Sequence, residues 1–475
     1  MKRESASIHK KGSKEKPPIM NSPIEGSFRF VLFVAVVTAI GGFLFGYDTA
    51  VINGSNSYLR LHMNLNSAQE GAAGASAILG CIPGAMFAGF LSDRFGRKKL
   101  LFLCALLYAA SGILSALPRT FEQFLAARFM SGLGIGASSL VCPIFIAEIA
   151  PEKQRGRLGS LFQLGIVTGI FLTLFINKVI QGMGDEAWNI AFGWRWMLGM
   201  EAVPAVVFML LLFTVPESPR WLTQKGREEE AREILGKVGG MQHADRELIA
   251  IRASMSEEEG RFAELFTRSY FRPLLIAMLL MAFSQFCGIN AIIYYSTKIF
   301  AAAGAVKNAA FASSVWIGLV NLLFTFVAIA LVDKAGRRPL LLVGTAVQVA
   351  ALSLVGWMFH TQRNGLPLLT GIVGFIAAFA MSTGPMSWLI CSEIFPNKVR
   401  GRAMSVATFV IWTSCYIVAQ TFPILNDSPV IGPAITFWVY AGVSLLSLMF
   451  VYWMVPETKG RTLEEIEHSW KDTST

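Results

Sequence analysis

Charge is scarce in this chain. Only 15% of its 475 residues are Asp, Glu, Lys or Arg, against 54% hydrophobic, a balance too apolar for a water-soluble globule. The six cysteines (Cys81, Cys104, Cys142, Cys287, Cys391 and Cys415) all fall inside apolar stretches and lack metal-ligand spacing. They read as small core residues, so neither a redox set, a metal nor a cofactor is expected. The chain also lacks Gly-x-x-x-x-Gly-Lys-Ser/Thr, which speaks against direct ATP hydrolysis and against an enzyme of that kind. Gly132-Leu-Gly-Ile-Gly136 resembles a nucleotide loop only in spelling. It lies in an apolar stretch, where small residues let helices approach closely. No short apolar segment with a small-residue cleavage site precedes the first long one, so no cleaved signal peptide is expected.

What the chain has is length of apolar sequence, twice over. Twelve stretches are long enough to cross a hydrocarbon core, which takes about 20 residues. They fall near 28–54, 71–92, 98–118, 123–147, 157–178, 192–215, 271–303, 308–332, 338–359, 366–394, 402–425 and 433–455. Three signatures recur in one order. Asp93-Arg-Phe-Gly-Arg-Lys98 returns as Asp333-Lys-Ala-Gly-Arg-Arg338, 240 positions on (333 minus 93). Glu148-Ile-Ala-Pro-Glu-Lys-Gln-Arg-Gly-Arg157 answers to Glu393-Ile-Phe-Pro-Asn-Lys-Val-Arg-Gly-Arg402, and Pro216-Glu-Ser-Pro219 to Pro456-Glu-Thr-Lys459. The pattern predicts an all-α membrane protein of about twelve transmembrane helices in two pseudo-symmetric six-helix bundles, 28–215 and 271–455. A disordered basic tail (1–27), a linker with short helices near Gly226–Lys237 and His243–Glu259 (216–270) and a short tail (456–475) complete the division.

Lys and Arg gather in four connections, at Arg94/Arg97/Lys98/Lys99, Lys153/Arg155/Arg157, Lys334/Arg337/Arg338 and Lys398/Arg400/Arg402. The intervening loops hold only isolated Arg60, Arg119, Lys307 and Arg363. The positive-inside rule places the basic connections and both termini in the cytoplasm. The formal net charge of +10 is therefore a topology signal in a lipid bilayer, and nucleic acid is not an expected partner.

Charges inside spans are costly and mark candidate sites. Asp48 ends Gly41-Gly-Phe-Leu-Phe-Gly-Tyr-Asp48 in the first stretch, Arg128 lies in the fourth, and Glu201 in the sixth. Two readings follow: a fixed neutralising set, or a proton site in which a carboxylate alternately gains and loses its Arg. Glu148 and Glu393 instead sit at the ends of their stretches beside basic loops. Arg97 and Arg155 are placed to pair with Glu148, and Arg337 and Arg400 with Glu393. Such pairs are either surface ion pairs of little energy or charges that close the cytoplasmic side in one state and part in another.

Gly89-Phe-Leu-Ser-Asp-Arg-Phe-Gly-Arg-Lys98, Pro216-Glu-Ser-Pro-Arg-Trp-Leu222, Gln285-Phe-Cys-Gly-Ile-Asn-Ala-Ile-Ile-Tyr-Tyr295 and Pro456-Glu-Thr-Lys-Gly460 form an ordered set. From about residue 28 to 470 the chain resembles a sugar porter of the major facilitator superfamily, closest in kind to bacterial sugar–proton symporters. The resemblance implies alternating access, a monosaccharide or polyol as cargo, and Asp48 as proton acceptor; the alternatives are a facilitative uniporter with Asp48 as a structural relic and a non-transporting sugar sensor on the same fold. It implies hydrogen-bonding roles for Gln163, Gln285, Asn290 and Asn321, and sugar contacts at Gly384, Trp388 and Trp412. Tyr294 and Tyr295 match residues that help close the outer side. Two positions depart from the pattern. Ser284 stands where many members carry a second Gln, and Ile411 where Asn or Gln is common, so the hydroxyl pattern recognised is left open.

Overall fold

The computed structural model describes residues 26–255, 262–363, 365–395 and 397–459. The predicted tail over 1–27 and the end of the C-terminal tail lie almost wholly outside these residues. Among those described, twelve helices are long and apolar enough to span a bilayer: α1 (Phe28–Met63), α2 (Ser67–Phe95), α3 (Arg97–Ala116), α4 (Phe121–Ile149), α5 (Arg155–Gln181), α6 (Glu186–Leu212), α7 (Tyr270–Ala302), α8 (Lys307–Val332), α9 (Arg337–His360), α10 (Leu366–Glu393), α11 (Val399–Asn426) and α12 (Gly432–Met454). Helices satisfy every backbone group within the segment, as the hydrocarbon core demands.

Side-chain caps start several of them. The Ser27 hydroxyl accepts from Phe30 N–H at α1, Thr120 serves α4 in the same way, and Asn66 with Gln69 forms a reciprocal box at α2. The largest difference from the expected bounds is at α1, which continues past 54 to Met63. Polar Asn56, Ser57 and Arg60 end the apolar run, but no helix breaker follows until Asn64 adopts a left-handed conformation. Arg60 is therefore a helix residue and not a loop residue.

Helices α1 to α6 pack on one another, as do α7 to α12, and the most extensive pairings between the bundles are α2 with α11, α5 with α8, and α1 with the second half of α7. Close approach inside the first bundle uses glycine. Gly132 and Gly136 of α4 face the Ala77 and Cys81 carbonyls of α2, where any Cβ would clash.

Three spans are interrupted. In α7 the helix stops at Phe286 and resumes at Ile289. Gly288 turns the chain at φ 89°, with the Tyr440 ring where a Cβ would stand. In α10 the break is at Ser382, and α6 loosens at Met200–Glu201. Interruptions of this kind are tolerated at membrane depth where protein or a polar cavity satisfies the freed groups.

The linker forms helices Pro219–Gln224, Glu228–Gly239 and Met241–Met255 and a 3-10 turn, Phe262–Phe266. The second expected helix ended at Glu259; positions 256–261 lie outside the described residues. Trp221, Ile234, Leu235 and Leu248 give the linker its own small core. Trp221 Nε1 donates to Asp93 O at 3.0 Å and Ser27 N–H to Lys237 O at 3.0 Å, so the linker is tied to the first bundle.

Bonds across the bundle boundary gather at the face away from the basic loops. Asn53 Nδ2 donates to Ile293 O at 2.6 Å and Ser296 Oγ at 2.5 Å, Thr297 Oγ1 donates to Asn53 O at 2.7 Å, and Gln420 Nε2 donates to Ala68 O at 3.0 Å. The molecule is closed at that face.

Candidate functional site

Three helices bring Asp48, Arg128 and Glu201 together in the interior of the first bundle. Asp48 and Arg128 are each 1% exposed. Arg128 Nη1 and Nη2 donate to the two Asp48 carboxylate oxygens at 2.9 and 2.7 Å, and Nη2 also reaches the Asp48 carbonyl at 3.2 Å. This fork-to-fork pairing fixes orientation as well as charge. Glu201, at the loosened turn of α6, stands 4.0 Å from Arg128 Nη1. Neither of its carboxylate oxygens has a hydrogen-bond partner among the described residues. One cation thus serves two buried carboxylates, and a proton on either one neutralises the set.

The break in α7 gathers the amides. Asn290 Nδ2 donates to Gln285 Oε1 at 2.5 Å and to Cys415 Sγ of α11 at 3.0 Å, while Gln285 Nε2 donates to Ser284 Oγ at 3.1 Å. The Ser284 hydroxyl in turn donates to Met281 O. Where a second amide was absent from the sequence, the structure has a short hydroxyl that turns inward. Trp412, next to buried Ile411, packs on Phe45 of α1 with ring centroids 5.6 Å apart, and its Nε1 has no partner among the described residues. Phe45 lies one helical turn before Asp48, so a single helix touches both the aromatic site and the ion pair.

The remaining expected contacts are more dispersed. Asn321 is buried on the face of α8 that meets α5 at Gly318, opposite Phe171 and Leu174. Gln163 is exposed, on the same face of α5 two turns before Phe171. Trp388 is 39% exposed, and Gly384 lies against Phe379 at the start of the second half of α10. Tyr294 and Tyr295 are buried; Tyr295 donates its hydroxyl to Ala419 O at 3.0 Å, stacks on Phe422 at 5.2 Å and abuts Gly74 of α2.

At the basic face the two halves build the same device. Arg97 pairs with Glu148 through Nε and Nη2, both at 3.0 Å, and Arg337 Nη2 pairs with Glu393 at 3.1 Å. Arg155 and Arg400 do not complete these sets. Each turns back to a backbone carbonyl that precedes its own helix, Arg155 to Ala147 near the end of α4 and Arg400 to Phe395, because side chains at a helix start lean toward its N-terminus. Their places are taken by residues that sequence reasoning did not assign. Ser218 Oγ donates to Glu148 at 2.6 Å and Thr458 Oγ1 to Glu393 at 2.5 Å. Glu217 accepts from the backbone N–H groups of Arg97 and Lys98, and Glu457 from those of Arg337 and Arg338, all at 3.0–3.1 Å. A carboxylate at a helix N-terminus satisfies its free donors and its dipole. The signal was present in the recurrence of Pro-Glu-Ser/Thr.

Comparison with known proteins identifies the family and its fold. The family model described as "Sugar (and other) transporter" matches residues 34–470. An arabinose–proton symporter of Bacillus subtilis is 41% identical over 446 residues, 94% of this chain and 96% of that one. A D-xylose–proton symporter of Escherichia coli is 36% identical, covering 95% of this chain and 98% of the other. The solved inward-open structure of the E. coli xylose transporter superposes with a TM-score of 0.83 at 35% identity, over 93% of this chain and all of that one. The same symporter bound to 6-bromo-6-deoxy-D-glucose gives 0.79 at 36%, over 93% and 99%. On a match across nearly its whole length, this chain belongs to the sugar transporter family.

Proposed function

We propose that this chain is a proton-coupled symporter that carries a monosaccharide or polyol into the cell by alternating access. It does so from the cytoplasmic (inner) membrane, with the basic face and both termini in the cytoplasm. The observation that carries the reading is one buried guanidinium beside two carboxylates, of which Asp48 lies on the helix, α1, that also touches the aromatic edge of the amide site through Phe45. In this mechanism Asp48 releases Arg128 when protonated, and Arg128 turns to Glu201. The change is transmitted through α1 to Phe45 and Trp412. Gln163, Gln285, Asn290 and Asn321 bind hydroxyls, which amides match by donating and accepting at once, while Gly384, Trp388 and Trp412 offer a close backbone and apolar faces. Tyr294 and Tyr295 close the outer side. The pairs Arg97–Glu148 and Arg337–Glu393 brace the basic ends of their bundles, with Arg155 and Arg400 beside them.

The names of the relatives support this reading, since two of them are sugar–proton symporters. The alternative is a facilitative uniporter in which the Asp48–Arg128 pair is structural, and the complete bidentate geometry would suit that too. Glu201, 4.0 Å from the same guanidinium and without a hydrogen bond among the described residues, favours coupling, because a fixed neutral pair needs no second buried carboxylate. The test is to add arabinose, xylose, glucose and a cyclitol to de-energised, weakly buffered vesicles. A symporter alkalinises the medium as its sugar enters; sugar entry without any pH change identifies a uniporter.

A further inference from the structure

Four charged side chains meet at the face away from the basic loops, and none belongs to the site described above. Arg60, one turn before the end of α1, pairs with Glu70 of α2 at 2.5 Å and with Asp427, just past α11, at 2.8 Å. Lys298, in the last turns of α7, pairs with the same two carboxylates at 2.7 and 3.0 Å. Ser67 adds a hydrogen bond to Asp427 at 2.7 Å. Arg60, Ser67 and Glu70 belong to the first bundle, Lys298 and Asp427 to the second. Each cation therefore touches one carboxylate from its own bundle and one from the other. A second pair, Lys307 of α8 with Glu186 of α6, crosses the same boundary nearby.

The environment makes the network more than a set of surface charges. The Glu70 side chain is 1% exposed and that of Lys298 15%, and the pairs cap the Asn53 hydrogen bonds beneath them. Burial disfavours the Asp427 anion, yet hydrogen bonds from Ser67 and Arg60 and the charge of Lys298 hold its carboxyl well below the usual carboxylate range. Asp427 is thus held as an anion between Arg60 and Lys298. When the bundles part, Glu70 keeps only Arg60 and Asp427 keeps only Lys298, and both cross-pairs are lost.

We infer that Arg60, Glu70, Lys298 and Asp427 form an electrostatic lock that holds the outer side shut and sets how often the protein visits its outward-open state. They are positioning residues, far from the cargo, and act by biasing one conformation over the other. The inference rests on the alternating-access reading above.

The test uses spin-label distances in the full-length protein in nanodiscs. One label pair replaces Leu61 and Val430 at the lock, and another replaces Arg94 and Lys334 at the basic face. Leu61, Val430, Arg94 and Lys334 are all exposed, and the six native cysteines are buried. Asp427→Asn and Glu70→Gln should each raise the long-distance population at the lock by about five-fold or more, the usual lower range of a coupling between states. Asp427→Glu, which keeps the charge, should not. An unchanged lock distance in both neutral variants, or an equal change in Asp427→Glu, would overturn the inference. If the lock pair lengthens while the basic-face pair fails to shorten, the lock stands and the alternating-access reading fails.

Discussion

Arg128 faces two carboxylates and pairs fully with only one of them. Removing one partner of a buried ion pair ordinarily costs about 3–5 kcal/mol, because a charge is stranded. Here Glu201 is near enough to take over. Asp48→Asn is therefore expected to fold, with a melting temperature close to wild type in detergent, and to lose uphill uptake while retaining counterflow. Combining it with Glu201→Gln strands Arg128 and should lower the melting temperature by far more than the sum of the singles. If Asp48→Asn still concentrates sugar, the proton travels elsewhere and Glu201 is the next residue to test. At the amide site, Gln285→Ala and Asn290→Ala should each weaken sugar binding by about 1–3 kcal/mol, roughly 5- to 150-fold, as a hydroxyl loses its partner in a dry pocket. Ile411→Asn should shift the order of preference among epimers toward more hydroxylated sugars. Calorimetry across an epimer set reads both effects; no loss in either amide variant would move the pocket away from the α7 break.

At the scale of the element, the start of α3 and its twin at α9 are the most constrained places in the fold. Gly96 and Gly336 both sit at positive φ, 100° and 90°, and each lies against the carboxylate that caps the following helix, Glu217 or Glu457. A Cβ there meets both a disfavoured conformation and a charged side chain. Gly96→Ala is thus expected to cost at least about 1–2 kcal/mol, whereas Gly89→Ala, with open space around it, should be neutral or slightly stabilising in its helix. Thermal unfolding of the two variants side by side checks this; equal melting temperatures would mean the cap is not under strain. Such motifs were legible as recurrence and not as geometry. The sequence shows Asp48, Arg128 and Glu201 as costly charges, because their apolar neighbours reveal the depth of each. It does not show that Glu148 takes Arg97 and leaves Arg155 aside, which depends on the rotation of α5 about its axis. Nor does it show the network at Asp427, whose partner Arg60 is 367 positions away. Read singly, each of those charges is an ordinary polar residue at a span end, where long side chains reach the interface.

For the whole molecule, what matters is that two buried half-structures meet at one closed face with a polar site between them. On the proposed reading the cargo is a neutral sugar or polyol, and the charge that moves with it is a proton on the Asp48–Arg128–Glu201 set. Each inward step with one proton then moves one positive charge through the membrane potential. That supplies about 2.3 kcal/mol per 100 mV, enough for roughly 50-fold accumulation without any pH gradient. Vesicles held at about 100 mV, negative inside, with equal pH on both sides should approach this ratio. They should fall back to equality when a protonophore is added. A leak through imperfect closure lowers the plateau, so lock variants such as Asp427→Asn should accumulate less sugar than wild type at the same potential if they slip without cargo. Accumulation that ignores the potential but follows the pH gradient would mean that proton entry is electrically silent, with a second charge moving alongside it. Equality at every potential would identify a uniporter and make the buried triad a structural feature.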